Sequence, residues 1–198
     1  MISPNNILQD PTGFDELSRE YLSTLNTASI DGFRSLFYKA SDEQLEGISN
    51  EYEGSSGPHR EWIYDDGVQA DMIRQLGEEL VLISLYHSVE LKIKDIIQDR
   101  QAQVPTSTNP TLNLSRWDDL KSYMSKKAKG SDEFRRVNVL RNLVNCFKHV
   151  GRVSKELHKQ DSTFGDVGDE IKFDRRAAYG LYKDSSTKLI SLIYKNEI

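Results

Sequence analysis

The run "LVLISLYHSVELKIKDII", Leu80 to Ile97, is apolar around most of its circumference when laid out at about 100° per residue. A helix of that kind needs partners on several sides, so it belongs at the centre of a helical bundle. The helical pattern reaches back to His59 and on to about Arg100 without a proline. Gly67 and Gly77 are tolerable interruptions, each costing up to ~1 kcal/mol. An all-α fold follows, and the remaining segments agree with it.

Upstream, "GFDELSREYLSTLN" (13–26) repeats Phe14, Leu17, Tyr21 and Leu25 at steps of three and four. Phe33, Leu36 and Phe37 continue the pattern. Ser41 and Gln44 read as a capping box opening another helix. Gly54 to Pro58 reads as a loop, which makes residues 1–55 an N-terminal helical extension on a main bundle of residues 56–198. Downstream, residues 101–113 form a turn-rich connection with two prolines. Ser115 and Asp118 predict a second capping box, with Trp117, Leu120 and Met124 facing inward on a helix to about Lys127. Ser131 or Asp132 caps the next helix, which ends before Gly151. Residues 153–159 are a short helix or frayed turn. A last helix, about 174–196, buries Ala178, Leu181, Tyr182, Leu189, Leu192 and Ile193.

Composition bounds the function. At 198 residues, 37% of them hydrophobic, the chain suits one domain with an extra lobe. A formal net charge of −5 disfavours a broad nucleic-acid-coating surface but leaves room for a local basic patch. The lone Cys146 excludes an internal disulfide and a multi-cysteine zinc site, and fits a reducing, cytoplasmic setting. No apolar run approaches the ~20 residues of a membrane span. The polar N-terminus, without Lys or Arg before Arg19, does not read as a secretory signal. Glycine-rich phosphate loops, zincin histidine pairs and nucleophile elbows do not occur, so no cofactor or metal is expected.

The helix over 132–150 holds the residues that ask for a chemical explanation. Phe134, Val137, Leu140, Val144 and Phe147 fall on one side. Asn138, Asn142, Asn145 and His149 fall opposite, with Arg141 at the edge and Lys148 and Arg152 close by. Asparagine costs roughly 0.6–0.7 kcal/mol per helical position relative to alanine, and a plain solvated face would use Glu and Lys. The set suits a phosphodiester. Cations hold the phosphate, asparagines position it, and an imidazole moves a proton near neutral pH. The same residues on a solvated face remain the competing reading. On the central helix, His87, Glu90 and Lys94 form one polar line. It reads either as internal pairs or as support for the stripe. Cys146 reads as a small packed residue, His59 and His158 as surface residues, and Trp62, Tyr64 and Tyr86 as core or interface.

"LRNLVNCFKHVGRVSKEL", Leu140 to Leu157, with its spacing R-x-x-x-N-x-x-K-H, resembles bacterial helical proteins related to the HEPN superfamily. "YHSVELKIKDI" and "YGLYKDSSTKLISLIYKN" look like the second and last helices of that type, so the resemblance covers about residues 60–198. It implies a metal-independent endoribonuclease of a defence or toxin–antitoxin system, a homodimer whose site dimerisation completes. Arg141 and His149 would then be catalytic, with Asn142, Asn145, Lys148 and Arg152 on the RNA substrate. His87, Glu90 and Lys94 would support them. Seven residues separate Arg141 from His149, one more than the superfamily's usual upper limit, which turns His149 about 80° away. That departure keeps a second expectation open: a non-catalytic subunit that uses the same face to bind an antitoxin or another defence protein. No helix-turn-helix with a basic recognition helix appears, which disfavours a DNA-binding regulator.

Overall fold

The computed structural model describes residues 18–102, 114, 116–149 and 151–195, and among them every regular element is helical. Residues 18–23 are helical and 24–27 are not. The helices are then α1 (Ala28–Gly54), α2 (Pro58–Ala102), α3 (Trp117–Ser122), α4 (Lys126–Lys129), α5 (Asp132–His149), α6 (Lys155–Gln160) and α7 (Arg175–Lys195). A single 3-10 turn covers Ser162–Phe164. The all-α expectation stands. No described helix is long and apolar enough to cross a membrane.

Several local expectations are corrected. The expected first helix breaks at 24–27, and its Phe14 and Leu17 lie outside the described residues. Ser41 does not cap anything. It lies inside α1, where its hydroxyl donates to the Tyr38 carbonyl at 3.2 Å. The helix predicted to run from Ser115 to Lys127 is two short ones. α3 starts after Arg116 without a side-chain cap, while Ser115 lies outside the described residues. Ser125 then accepts from the Ala128 amide and starts α4. Ser131 caps α5 through the Phe134 amide at 3.1 Å. Of the three aromatic residues read as core or interface, Tyr86 is core, while Trp62 and Tyr64 are exposed and keep only the interface reading. On α7, Leu181 is exposed while Tyr179, Ser185, Ser186 and Ile190 are buried in its place. His158 is only partly exposed, its Nδ1 3.0 Å from the Gly165 carbonyl.

The chain divides into two compact units. One joins residues 1–26, 86–140 and 181–198; the other joins 27–85 and 141–180. The division expected near residue 55 falls inside the second. In the first unit Trp117 lies 6.0 Å from the Tyr86 ring and stacks on Phe134 at 6.1 Å, tying α3 to α2 and α5. Arg100 donates to the carbonyls of Ile193 and Tyr194, so the C-terminal ends of α2 and α7 meet and orphan carbonyls of α7 are satisfied. Lys92, which the apolar pattern of α2 hides, is buried. Its ammonium donates to the Tyr21 carbonyl at 2.9 Å and sits over the Tyr21 ring. Burial pulls the Lys92 ammonium below its ordinary range, against the Asp95 carboxylate, which pulls the other way.

In the second unit α1 is fastened to the start of α7. The Tyr179 hydroxyl and the Thr27 hydroxyl both donate to Asp31. Burial first, and then its hydrogen bond to Asp31, push the Tyr179 phenol far above its usual range. Arg34 lies between the Tyr38 and Tyr179 rings, and Arg176 covers Tyr38 while binding Asp42. α1 also crosses α2 closely. A Cβ on Gly77 would overlap the edge of the Phe37 ring, so any larger residue there forces that ring to move.

Half-buried Glu78 gives this unit a pH dependence. Burial raises its carboxyl above the ordinary value of 4.5, outweighing the pull of Arg74 and Arg175. A folded value raised above the unfolded one gives stability that is complete below the unfolded value and is lost as pH rises through the folded one. Glu78→Gln is therefore expected to raise the melting temperature at neutral pH, with the difference shrinking to nothing near ~pH 4. Melting curves at the two pH values test this; a variant less stable than wild type at neutral pH would show that the arginines dominate instead.

Candidate functional site: a cationic cavity at the end of α5

The last two turns of α5 face a cavity of about 530 Å³ within the second unit. From α5 come Arg141, Asn142, Asn145, Cys146 and His149; from the segment after it come Arg152, Val153, Ser154 and Glu156; Val167 and Gly168 close the far side. Two arginines and a histidine meet one carboxylate, so the cavity has a positive balance in an acidic chain.

The backbone explains why these residues converge. α5 stops because Gly151 takes φ +66, a left-handed conformation that costs glycine little. Its amide reaches back to the Cys146 carbonyl at 2.8 Å. The chain then pairs with a returning loop. The Val153 amide donates to Asp169, the Gly168 amide donates to Val153, and Arg152 bridges antiparallel to Glu170. The loop turns through Gly165 and Gly168, both at positive φ. Ser154 caps α6 through the Leu157 amide, which fixes the wall beyond Arg152.

The side chains differ in how tightly they are held. Asn142 is only 5% exposed, and its Oδ1 accepts from Arg141 Nη1 at 3.3 Å. The asparagine thus orients the guanidinium. Arg152 is exposed, with one Nη1 hydrogen bond to the Gly168 carbonyl at 2.8 Å. His149 is exposed at the mouth, Asn145 is half-buried, and Cys146 is a buried free thiol. Such a set can hold an anion by charge and directed donors, and offers one imidazole for proton transfer.

Of the residues singled out from the sequence, Arg141, Asn142, Asn145, His149 and Arg152 line this cavity. The 80° turn between Arg141 and His149 does not separate them, because the cavity wraps around the helix end. Lys148 is exposed and does not line it. His87, Glu90 and Lys94 belong to the other unit; Lys94 and Glu90 form a one-turn ion pair at 2.9 Å, and His87 is exposed. Ser154, Glu156, Val167 and Gly168 were not anticipated. The only sequence signal for them is the pair of loop glycines, which marks a return without saying where it docks. No protein-family model, curated protein or solved structure matches the chain.

Proposed function

We propose that the chain is a HEPN-like RNA-cleaving protein of a bacterial defence or toxin–antitoxin system, acting in the cytoplasm. The observation that carries the reading is the convergence of Arg141, Asn142, Asn145, His149 and Arg152 on one cavity. In the proposed reaction the ribose 2′-oxygen attacks the adjacent phosphorus and the 5′-oxygen leaves. The products are a 2′,3′-cyclic phosphate and a 5′-hydroxyl. His149 takes the 2′-OH proton or gives one to the leaving oxygen. Arg141 and Arg152 stabilise the charge that grows on the phosphate. Arg141 and His149 start about 12 Å apart along the helix axis, at eight residues of 1.5 Å. A second copy that supplies the opposing group shortens that reach, so the proposal includes a homodimer.

The test is purified protein with labelled RNA in EDTA. Cleavage to cyclic-phosphate ends is expected, slowed by about 10²–10⁴-fold in His149→Ala, the range for a positioned acid or base. RNA left intact by micromolar wild type would remove the nuclease reading.

The alternative is a non-catalytic subunit that binds a partner protein, such as an antitoxin, through the same face. The acidic balance of the chain and the extra residue between Arg141 and His149 favour it. Under that reading RNA stays intact and Asn145→Leu changes the mass seen by light scattering of the partner complex.

A further inference from the structure

The hairpin of α1 and α2 carries a second concavity, which the returning loop borders through Glu170. It holds about 630 Å³ and is walled by Leu45, Ile48 and Tyr52 on α1 and by Tyr64, Val68 and Met72 on α2. The α2 wall is open to solvent: Tyr64 is 60% exposed, Val68 43% and Met72 64%. Gly67 lets the helices approach, with its missing Cβ position 3.5 Å from Ile48 Cγ2. Lining positions on α2 recur at one-turn steps from Ile63 to Gln75, about 18 Å or three turns of groove.

The closed end of the hairpin, where the two helices join, is acidic. Residues 46–66 hold six carboxylates and one cation, Arg60, a net of 1 − 6 = −5, equal to the −5 of the whole chain. Arg60 is spent locally, its guanidinium 4.2 Å from the Tyr52 ring centroid. Asp71 and Glu170 add acid to the groove wall itself, Asp71 being paired with Arg74. Glu61 and Asp65 line the adjoining concavity, which shares Tyr52 and Tyr64 with the groove. An apolar trough that opens at the acidic end of the hairpin repels phosphate backbones and anionic lipid surfaces. A second copy docked symmetrically would set carboxylates against carboxylates. Both walls are helices with their backbone groups satisfied internally, so there is no edge for an added strand.

We propose that this groove seats a basic amphipathic helix of a partner protein, about three turns long. Its apolar side lies on Tyr64, Val68 and Met72, and its lysines or arginines face Glu61, Asp65 and Glu170. The proposal does not depend on what the cationic cavity binds.

The experiment uses the full chain and a fluorescein-labelled amphipathic helix of leucine and lysine, about four turns long. A matched peptide in which glutamate replaces every lysine is the control. Anisotropy at physiological salt is expected to show saturable binding of the lysine peptide and none of the glutamate peptide. Val68→Ser with Met72→Ser keeps the net charge and is expected to weaken binding at least tenfold. Tyr64→Ser is an independent variant if that pair misfolds by circular dichroism. Asp65→Asn with Asp66→Asn is expected to weaken binding and flatten its salt dependence. Binding unchanged in both apolar variants would mean plain charge attraction and would overturn the proposal. So would a folded wild type that ignores the lysine peptide, or a light-scattering mass that halves in the groove variants, which would make a second copy the occupant.

Discussion

Under the proposed RNA-cleaving function, Arg141→Ala is expected to slow cleavage by about 10²–10³-fold while leaving the melting temperature within a few degrees of wild type. The size is that of removing one preorganised donor from a site where negative charge develops. The guanidinium is preorganised because Asn142, buried and unable to swing into water, accepts from it at 3.3 Å. Little stability is at stake, because Arg141 is itself half-exposed at the cavity wall. Arg141→Lys keeps the charge but loses the planar fork, so it is expected to recover only part of the rate. Asn142→Ala acts through Arg141 and should mimic a weakened Arg141, lowering the maximal rate more than the affinity for RNA. Single-turnover rates on labelled RNA in EDTA, with melting curves on the same preparations, measure all three. If Arg141→Ala cleaves as fast as wild type, the cavity does not hold the scissile phosphate, and the assignment of His149 falls with it.

Much of this architecture was legible because helical periodicity is a local property. The circumferential apolarity of Leu80–Ile97 predicts a segment buried on several sides; Leu82, Leu85, Val89, Ile93, Ile96 and Ile97 are buried, but Leu80 and Leu91 are exposed. Gly151 predicts the end of α5 and sits there at positive φ. Capping was legible only in part. Ser131 caps α5, but Ser41 sits mid-helix because α1 continues through the sequence that looks like a start. What periodicity could not give is anything set by return of the chain. The pairing of Arg152 with Glu170 brings residues 166–170 over the end of α5, and nothing in either segment alone specifies the match. Exposure of Trp62 and Tyr64 was likewise out of reach. Aromatic residues look like core in sequence, and only the fold reveals a helical hairpin too narrow to cover both sides of α2.

Arg175→Ala is expected to destabilise the protein by about 1–3 kcal/mol, between the range of a solvated surface pair and that of a fully buried one. Arg175 is the first residue of α7, and its side chain is only 12% exposed against 23% for Glu79, which it meets at 3.1 Å. The same guanidinium donates to the Ile171 carbonyl and lies 5.8 Å from the Phe147 ring centroid and 5.4 Å from that of Phe173. One cation therefore joins α2, α7, the loop before α7 and the last turn of α5. A surface pair would be worth under about 1 kcal/mol, since water replaces the lost partner. Here water has limited access, so the Glu79 charge left behind sets the cost. That reasoning fixes the order of the variants. Glu79→Gln should cost less than Arg175→Ala, because the arginine keeps Ile171 and two rings. Arg175→Met with Glu79→Leu should recover most of the loss by removing both charges at similar volume. Phe147 lies between Asn145 and His149 on α5, so loosening this cluster should lower RNA cleavage in Arg175→Ala and restore it in the double variant. Urea unfolding of the four proteins measures the energies. A cost below about 1 kcal/mol for Arg175→Ala would place the pair with ordinary solvated ion pairs, and the end of α5 would then owe its position to the Phe147–Phe173 stack and the backbone pairing of residues 152–153 with the returning loop.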